Sequence, residues 1–221
     1  MNNKTFLFAV VLCTQLISVD VSASTVDWST TSLSGSFPNY SFSDPTLGTV
    51  SLSYSNDAQL YGIINYFAQN TLGLGLDEGV SLTISWSNPI TNMNMQLWDI
   101  DGLGGGSIES VSVASAAAVT PVSLATDLWD AGTQTLSGDG TVDDNANPNN
   151  YSVLNFSDPG GFSSITLNWH TPDPGGAGVG QLSEISTVPV PPSVVLLLSG
   201  LLGMLLVAAH PSRCAGKMTI V

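Results

Sequence analysis

Three acidic residues near the middle of the chain carry its clearest candidate chemistry. Asp99 and Asp101 stand two residues apart where a predicted strand ends, and Glu109 follows a glycine-rich loop. Side chains two residues apart on an extended chain point to the same side, and a hairpin would return Glu109 beside them. Because Ca²⁺ prefers carboxylate oxygen ligands, these three residues form a candidate calcium site. The alternative is that Asp99 and Asp101 cap a turn through their own backbone.

A second acidic loop, 139–145, has oxygen-bearing side chains at every other position. This spacing is similar to that of an EF-hand calcium loop, but the glycine in the middle and the closing glutamate are missing. We therefore interpret 139–145 as a solvated loop and keep calcium binding there as the alternative.

The chain has five tryptophans, whose flat apolar rings could stack on sugar rings. Trp86 and Trp169 fall on the apolar positions of predicted strands and are assigned to the core. Trp98 and Trp129 each stand directly before an aspartate, so they are candidate ligand-binding residues at a rim. Burial against the core is the alternative for both.

Groups that commonly carry catalysis are scarce between residues 24 and 188. His170 is the only histidine there, and the segment has no Cys, Lys or Arg and no Gly-x-Ser-x-Gly elbow. The many carboxylates would allow glycoside hydrolysis, but nothing marks one pair. We predict that the chain is not an enzyme, with a glycan-active hydrolase as an alternative.

The composition of the same segment restricts its partners. It holds sixteen Asp or Glu residues and no basic residue, which gives a formal charge of −16. Nucleic acid is excluded as a partner, since binding it requires cations that neutralise phosphates. Both cysteines, Cys13 and Cys214, lie outside the segment. Stability must therefore come from a packed core or bound ions rather than from disulfides.

Apolar residues alternate with Ser and Thr in 50–54 and 80–86, which predicts strands with one buried face. Further strands are predicted at 93–100, 111–116, 151–156, 165–169 and 182–188, with turns at 87–89, 102–107, 138–150, 158–161 and 172–178. The segment 59–69 fits either a strand or a short helix. This order favours an all-β fold, an antiparallel β-sandwich of jelly-roll type, over residues 24–187.

The N-terminal 23 residues have the organisation of a secretory signal peptide. Lys4 precedes an apolar run over 6–17, and small residues lead up to Ala23. This pattern predicts cleavage by signal peptidase between Ala23 and Ser24.

A second apolar run occupies 194–209, 16 residues with Ser199 as the only polar side chain. As a helix it is about 24 Å long, enough for a short membrane span. A buried core helix is the alternative, but such a helix usually has a polar face. Arg213 and Lys217 follow, so the positive-inside rule places both termini on the cytoplasmic side. Residues 24–187 are then exported, and 214–221 form a cytoplasmic tail.

The motif Val188-Pro189-Val190-Pro191, the apolar span and Arg213 follow one another near the C-terminus. This order resembles the PEP-CTERM sorting tail of Gram-negative bacterial surface proteins. The resemblance covers 188–213 and implies processing by an exosortase-like transpeptidase after a transient stage in the inner membrane. In two respects the tail departs from the family pattern. Val190 stands in place of the glutamate, and eight residues follow Arg213.

A looser resemblance links 80–169 to a sandwich domain common in bacterial extracellular and PEP-CTERM proteins. It is carried by Pro89-Ile90-Thr91-Asn92, the Asp-x-Asp turn, Tyr151-Ser152-Val153 and Phe162 to Leu167. Together the resemblances imply a surface or matrix protein with a structural or adhesive role in exopolysaccharide or biofilm. A calcium-assisted carbohydrate-binding module is the alternative, with extracellular polysaccharide as its partner.

Overall fold

The computed structural model describes residues 24–55, 63–66, 69–75, 79–100, 102–104, 107–140, 151–170 and 177–187, with Gly200, Leu201 and Met204. The described strands are β1 (Ser24–Val26), β2 (Ser34–Ser36), β3 (Asn39–Asp44), β4 (Gly48–Tyr54), β5 (Ile63–Tyr66), β6 (Gln69–Gly75), β7 (Ser81–Trp98), β8 (Gly102–Gly104), β9 (Ser107–Ile108), β10 (Ser110–Ser115), β11 (Ala118–Ser123), β12 (Leu128–Asp130), β13 (Thr135–Ser137), β14 (Tyr151–His170) and β15 (Ala177–Thr187). Within 59–69, the part that is described is strand rather than helix.

The described strand pairs are all antiparallel. Thirteen strands connect through hydrogen bonds into one sheet, and β8 pairs with β9 in a separate hairpin. The prediction of an all-β antiparallel chain is confirmed.

Strands β7 and β14 form the centre of the sheet and pair along almost their whole lengths. Ile84 lies opposite Ile165 in one half of the pair, and Met93 lies opposite Phe156 in the other. Between the halves the ladder is irregular over 86–91 of β7 and 158–163 of β14. We call these two segments the paired bulge. The paired bulge contains six residues in each strand. The pairing register of β7 with β14 is therefore the same before and after the bulge.

The paired bulge changes which residues of each strand face the core. A regular strand would keep residues of one parity on one face. Instead, both strands have even-numbered core positions on one side of the bulge and odd-numbered positions on the other. The core residues are Leu82, Ile84, Met93, Met95 and Leu97 on β7, and Leu154, Phe156, Ile165, Leu167 and Trp169 on β14. Each strand therefore shifts its alternation of inward and outward side chains by one residue at the bulge, as β-bulges do.

The two halves of the β7–β14 pair have different neighbours. In one half, β4 pairs with β7 and β10 pairs with β14. In the other half, β15 pairs with β7 and β11 pairs with β14. Residues from both halves nevertheless belong to a single core cluster. At the bulge, Trp86 packs edge-on against Phe162 with ring centroids 5.5 Å apart, and its indole nitrogen donates to the Phe162 carbonyl at 3.1 Å.

The predicted turns at 87–89 and 158–161 are wrong, because both segments lie inside long strands. The turn chemistry is present: the Asp158 carboxylate accepts from the Gly160 amide at 2.8 Å, and Gly161 has φ 87°. These turn-forming residues bend β14 but do not reverse the direction of the chain. Pro89 is tolerated because the irregular ladder at this point does not require its missing N–H.

The N-terminal strand is fastened to the last described strand of the sheet. β1 pairs with β15, with Ser24 opposite Ile185 and Val26 opposite Leu182. The indole nitrogen of Trp28 then donates to the Gly180 carbonyl at 2.7 Å in a buried hydrogen bond. The Trp28 ring also packs edge-on against Phe42 of β3 at 5.7 Å. Trp28 therefore joins β15 to β3.

Trp28→Phe should lower the free energy of unfolding by about 2 kcal/mol, because the buried Gly180 carbonyl loses its donor. Chemical denaturation followed by circular dichroism measures the change. Trp129→Phe is the matched control, since Trp129 is only partly buried against the core, and it should cost less than about 1 kcal/mol. Equal losses in the two variants would contradict the role assigned to Trp28.

Candidate functional site

Of the predicted calcium ligands, Asp99 and Glu109 are among the described residues. Asp99 directly follows β7, is 7% exposed and has a left-handed backbone with φ 60°. Glu109 is 1% exposed and follows the β8–β9 hairpin, in which Gly102 pairs with Ile108. Asp101 lies outside the described residues. In the part of the chain that the structure describes, no three His, Cys, Asp or Glu side chains are grouped to hold a metal ion. Calcium binding therefore stays a prediction.

Asp99→Asn tests the calcium hypothesis, because asparagine tolerates the left-handed region as aspartate does. If the hypothesis holds, saturating Ca²⁺ raises the melting temperature of the native chain by roughly 5–10 °C over its value in chelator. The Asp99→Asn variant should show no such difference. Asp130→Asn, which alters an exposed turn, should respond like the native chain. An identical melting curve of the native chain with Ca²⁺ and with chelator would exclude the site.

The other polar candidates from the sequence are spread over the sheet. Asp139 is exposed, and 141–150 lie outside the described residues, so the acidic loop 139–145 remains a prediction. His170 is the last residue of β14 and is exposed. Its Nε2 lies 3.3 Å from the Ser112 hydroxyl of the neighbouring strand β10.

Of the two interpretations of Trp98, the structure supports burial against the core, because its side chain is fully buried. Its ring lies 4.7 Å from the Tyr151 ring, and its indole nitrogen donates to Gln96 at 3.4 Å. Gly180 of β15 makes room for it, because a Cβ atom at this position would clash with the indole nitrogen of Trp98. Trp129 is half-buried and packs against the core from β12.

A set of three amide side chains and one carboxylate, linked by hydrogen bonds, extends across β7, β14 and β15. The sequence did not predict it. We call Asn92, Asn94, Asn155 and Glu184 the amide network. The Asn155 side-chain nitrogen donates to Oδ1 of Asn92 at 2.9 Å and to Oδ1 of Asn94 at 2.8 Å. One donor group on β14 therefore links two side chains of β7.

The amide network ends at an exposed carboxylate. The Asn94 side-chain nitrogen donates to Glu184 Oε2 at 2.8 Å, and the Asn92 side-chain nitrogen donates to the Glu184 main-chain carbonyl at 3.1 Å. Glu184 has φ 53° and lies at a register shift of β15 between Ser183 and Ser186. Such a bulge redirects a side chain. Here the neutral amides fix Glu184 at the surface, where it can accept hydrogen bonds from a hydroxylated ligand.

Part of this network is visible in the sequence. Asn92, Asn94 and Gln96 alternate with Met93 and Met95, a pattern that indicates a strand with amides on the face away from the core. The contacts of these amides with Asn155 and Glu184 could not be predicted from the sequence, because both residues are far from them along the chain. Their positions depend on the register of β14 and on the bulge in β15.

Comparisons with known proteins do not identify the chain: no family model matches it, and no curated protein matches it. Of the predicted membrane span 194–209, the described residues are Gly200, Leu201 and Met204, all helical. Within the described residues, no helix has the length and apolar character needed to cross a bilayer. The signal peptide, the motif 188–191 and the basic residues Lys4, Arg213 and Lys217 lie outside the described residues and stay predictions.

Proposed function

We propose that this chain is an exported, non-enzymatic protein of the cell surface or extracellular matrix of a Gram-negative bacterium. Its role is structural or adhesive in an exopolysaccharide matrix. The observation that carries this proposal is the order of the tail, in which Val188-Pro189-Val190-Pro191 precedes an apolar span and Arg213. An exosortase-like enzyme removes this tail after a transient stage in the inner membrane, and signal peptidase cuts at the other end.

The exported domain is a β-sandwich in this proposal. Three features of the described residues support it. The paired bulge divides β7 and β14 into halves with different neighbours. Core positions change parity at the bulge, and residues of both halves join one core. Strands that pass from one sheet of a sandwich to the other do so through bulges of this kind.

The pairing of β1 with β15 fits processing at both ends. Ser24, the first residue after the predicted signal-peptide cleavage, lies opposite Ile185. β15 ends at Thr187, directly before the sorting motif. Both predicted cleavage points thus flank strands that are hydrogen-bonded to each other. Removal of the signal peptide and of the tail leaves this pairing intact.

The masses of the mature ends test the sorting proposal. The full-length gene is expressed in a host with an exosortase system, and the protein is isolated from the membrane and matrix fractions. We expect the matrix form to begin near Ser24 and to end near Pro191. Val190→Glu restores the residue of the family pattern and should increase the processed fraction. A chain with Val221 intact, retained in the membrane, would contradict the proposal.

Carbohydrate binding is the second candidate, and the amide network favours it. Hydrogen bonds from Asn94 and Asn155 fix polar groups on one face of the sheet before any ligand arrives. Preorganised groups lose less entropy on binding. The Glu184 carboxylate at the end of the network can accept hydrogen bonds from sugar hydroxyls, as charge-assisted bonds are the stronger ones.

Co-sedimentation with an insoluble neutral polysaccharide tests this second candidate. Glu184→Gln keeps an oxygen for the Asn94 donor but removes the charge, so we expect association to fall by roughly tenfold. Asp158→Asn, a change at the turn of the paired bulge, is the control and should bind like the native chain. Absence of binding by the native chain, with or without Ca²⁺, would exclude this role.

A further inference from the structure

A polar cleft lies beside the N-terminal strand, away from the predicted site residues and from the amide network. Its volume is about 360 Å³, at the lower end of the range for small-molecule sites. One wall is formed by 25–27 and 30–32, and the other by 42–45 at the end of β3. We call it the N-terminal cleft. Each wall carries one aspartate, Asp27 on the first and Asp44 on the second.

Both aspartates are fixed in position by their own turns. Oδ1 of Asp27 accepts from the Ser29 amide at 2.8 Å, and Oδ1 of Asp44 accepts from the Thr46 and Leu47 amides, each at 2.8 Å. Hydrogen bonds from the Ser29 side chain and backbone hold the pKa of Asp27 below its ordinary value. Asp27 therefore remains ionised at neutral pH.

The cleft is rich in hydrogen-bond acceptors. The hydroxyl groups of Thr30 and Thr31 both donate to the Asp27 main-chain carbonyl, at 3.1 and 2.8 Å. A hydroxyl whose proton is engaged can only accept a further hydrogen bond. Asp27, Asp44, Thr30 and Thr31 all line the cleft, and their side chains offer it hydrogen-bond acceptors. The complementary ligand has several donors and a positive charge.

The walls are held apart by packing around the cleft. Trp28, which directly follows Asp27, is buried between Gly180 and Phe42, and Leu47 beyond Asp44 is fully buried. The Asn88 side chain also donates to the Thr46 carbonyl at 3.1 Å. Because both turns are attached to the core in this way, the cleft is present before a ligand enters.

We propose that the N-terminal cleft binds a cationic amino sugar, such as an unacetylated hexosamine unit of a polysaccharide. The ammonium group supplies three N–H donors and one positive charge to the acceptors, and the sugar hydroxyls supply further donors. A bare metal ion fits less well, since no group of three ligating side chains occurs among the described residues. Uronic acids are repelled by a domain whose formal charge is −16. This proposal rests on the proposed matrix role in one respect, because that role supplies the polysaccharide that carries the sugar.

Isothermal titration calorimetry on the full-length chain in a detergent without a sugar headgroup tests the cleft. The probes are an oligomer of glucosamine at mildly acidic pH, the same oligomer fully N-acetylated, a lysine-rich peptide and CaCl₂. We expect the glucosamine oligomer to bind, with an affinity that falls as salt is added. The acetylated oligomer, which lacks the charge, should bind at least about tenfold more weakly.

The variant that tests the contact is Asp27→Asn combined with Asp44→Asn. Asparagine retains the oxygen that caps each turn, so the melting temperature should stay close to that of the native chain while binding weakens by at least about tenfold. Asp158→Asn changes an aspartate that is anchored to its own turn in the same way, and it should bind as the native chain does.

Four outcomes would overturn the proposal. They are equal binding of the acetylated and unacetylated oligomers, binding of the lysine-rich peptide as tight as that of the glucosamine oligomer, unchanged binding in the double variant, and Ca²⁺ binding that the double variant abolishes. None of them bears on the processing of the tail. Failure of the cleft and failure of the proposed function are thus told apart.

Discussion

The structure of the domain depends on the continuous pairing of β7 with β14 through the paired bulge. Two strands can remain hydrogen-bonded across an irregular segment only if both change the facing of their side chains together. Here each strand uses six residues in the irregular segment, and the register is the same before and after it. Trp86 and Phe162 pack on each other at this point. The core can therefore draw on both halves of each strand.

The same constraint decides what the other face of the sheet presents. Once Met93, Met95 and Leu97 point into the core, the alternating Asn92, Asn94 and Gln96 must point away from it. The amide network follows from that facing and from the bulge in β15 that turns Glu184 towards Asn94. Trp98 is on this face as well, where Gly180 leaves space for its ring. The alternation of side chains along β7 thus places the methionines in the core and the amides on the opposite face.

The acidic side chains of the domain are stabilised without basic partners. Residues 24–188 contain no cysteine, lysine or arginine, and several of the described acidic side chains are held by backbone amides and neutral side chains. Asp27, Asp44 and Asp158 each accept from amides of their own turns, and Glu184 accepts from an asparagine. The fixed carboxylates leave an acidic surface, which favours uncharged or cationic partners.

The amino-acid sequence by itself determined the all-β character of the chain. Alternation of apolar and polar residues is a local pattern, and it is enough to give a strand one buried and one exposed face. The sequence also determined the charge, the absence of cysteine between 24 and 188 and the positions of β4 and β10 and of most of β7, β14 and β15. Only the tertiary structure decided that 87–89 and 158–161 continue strands, that Trp98 is buried, and that Asn155 and Glu184 meet Asn94. Those features depend on register and on bulges, which are set by contacts between residues far apart in the chain. The N-terminal cleft has the same origin, since Asp27 and Asp44 belong to separate turns that the packing of Trp28 on Phe42 brings to one place.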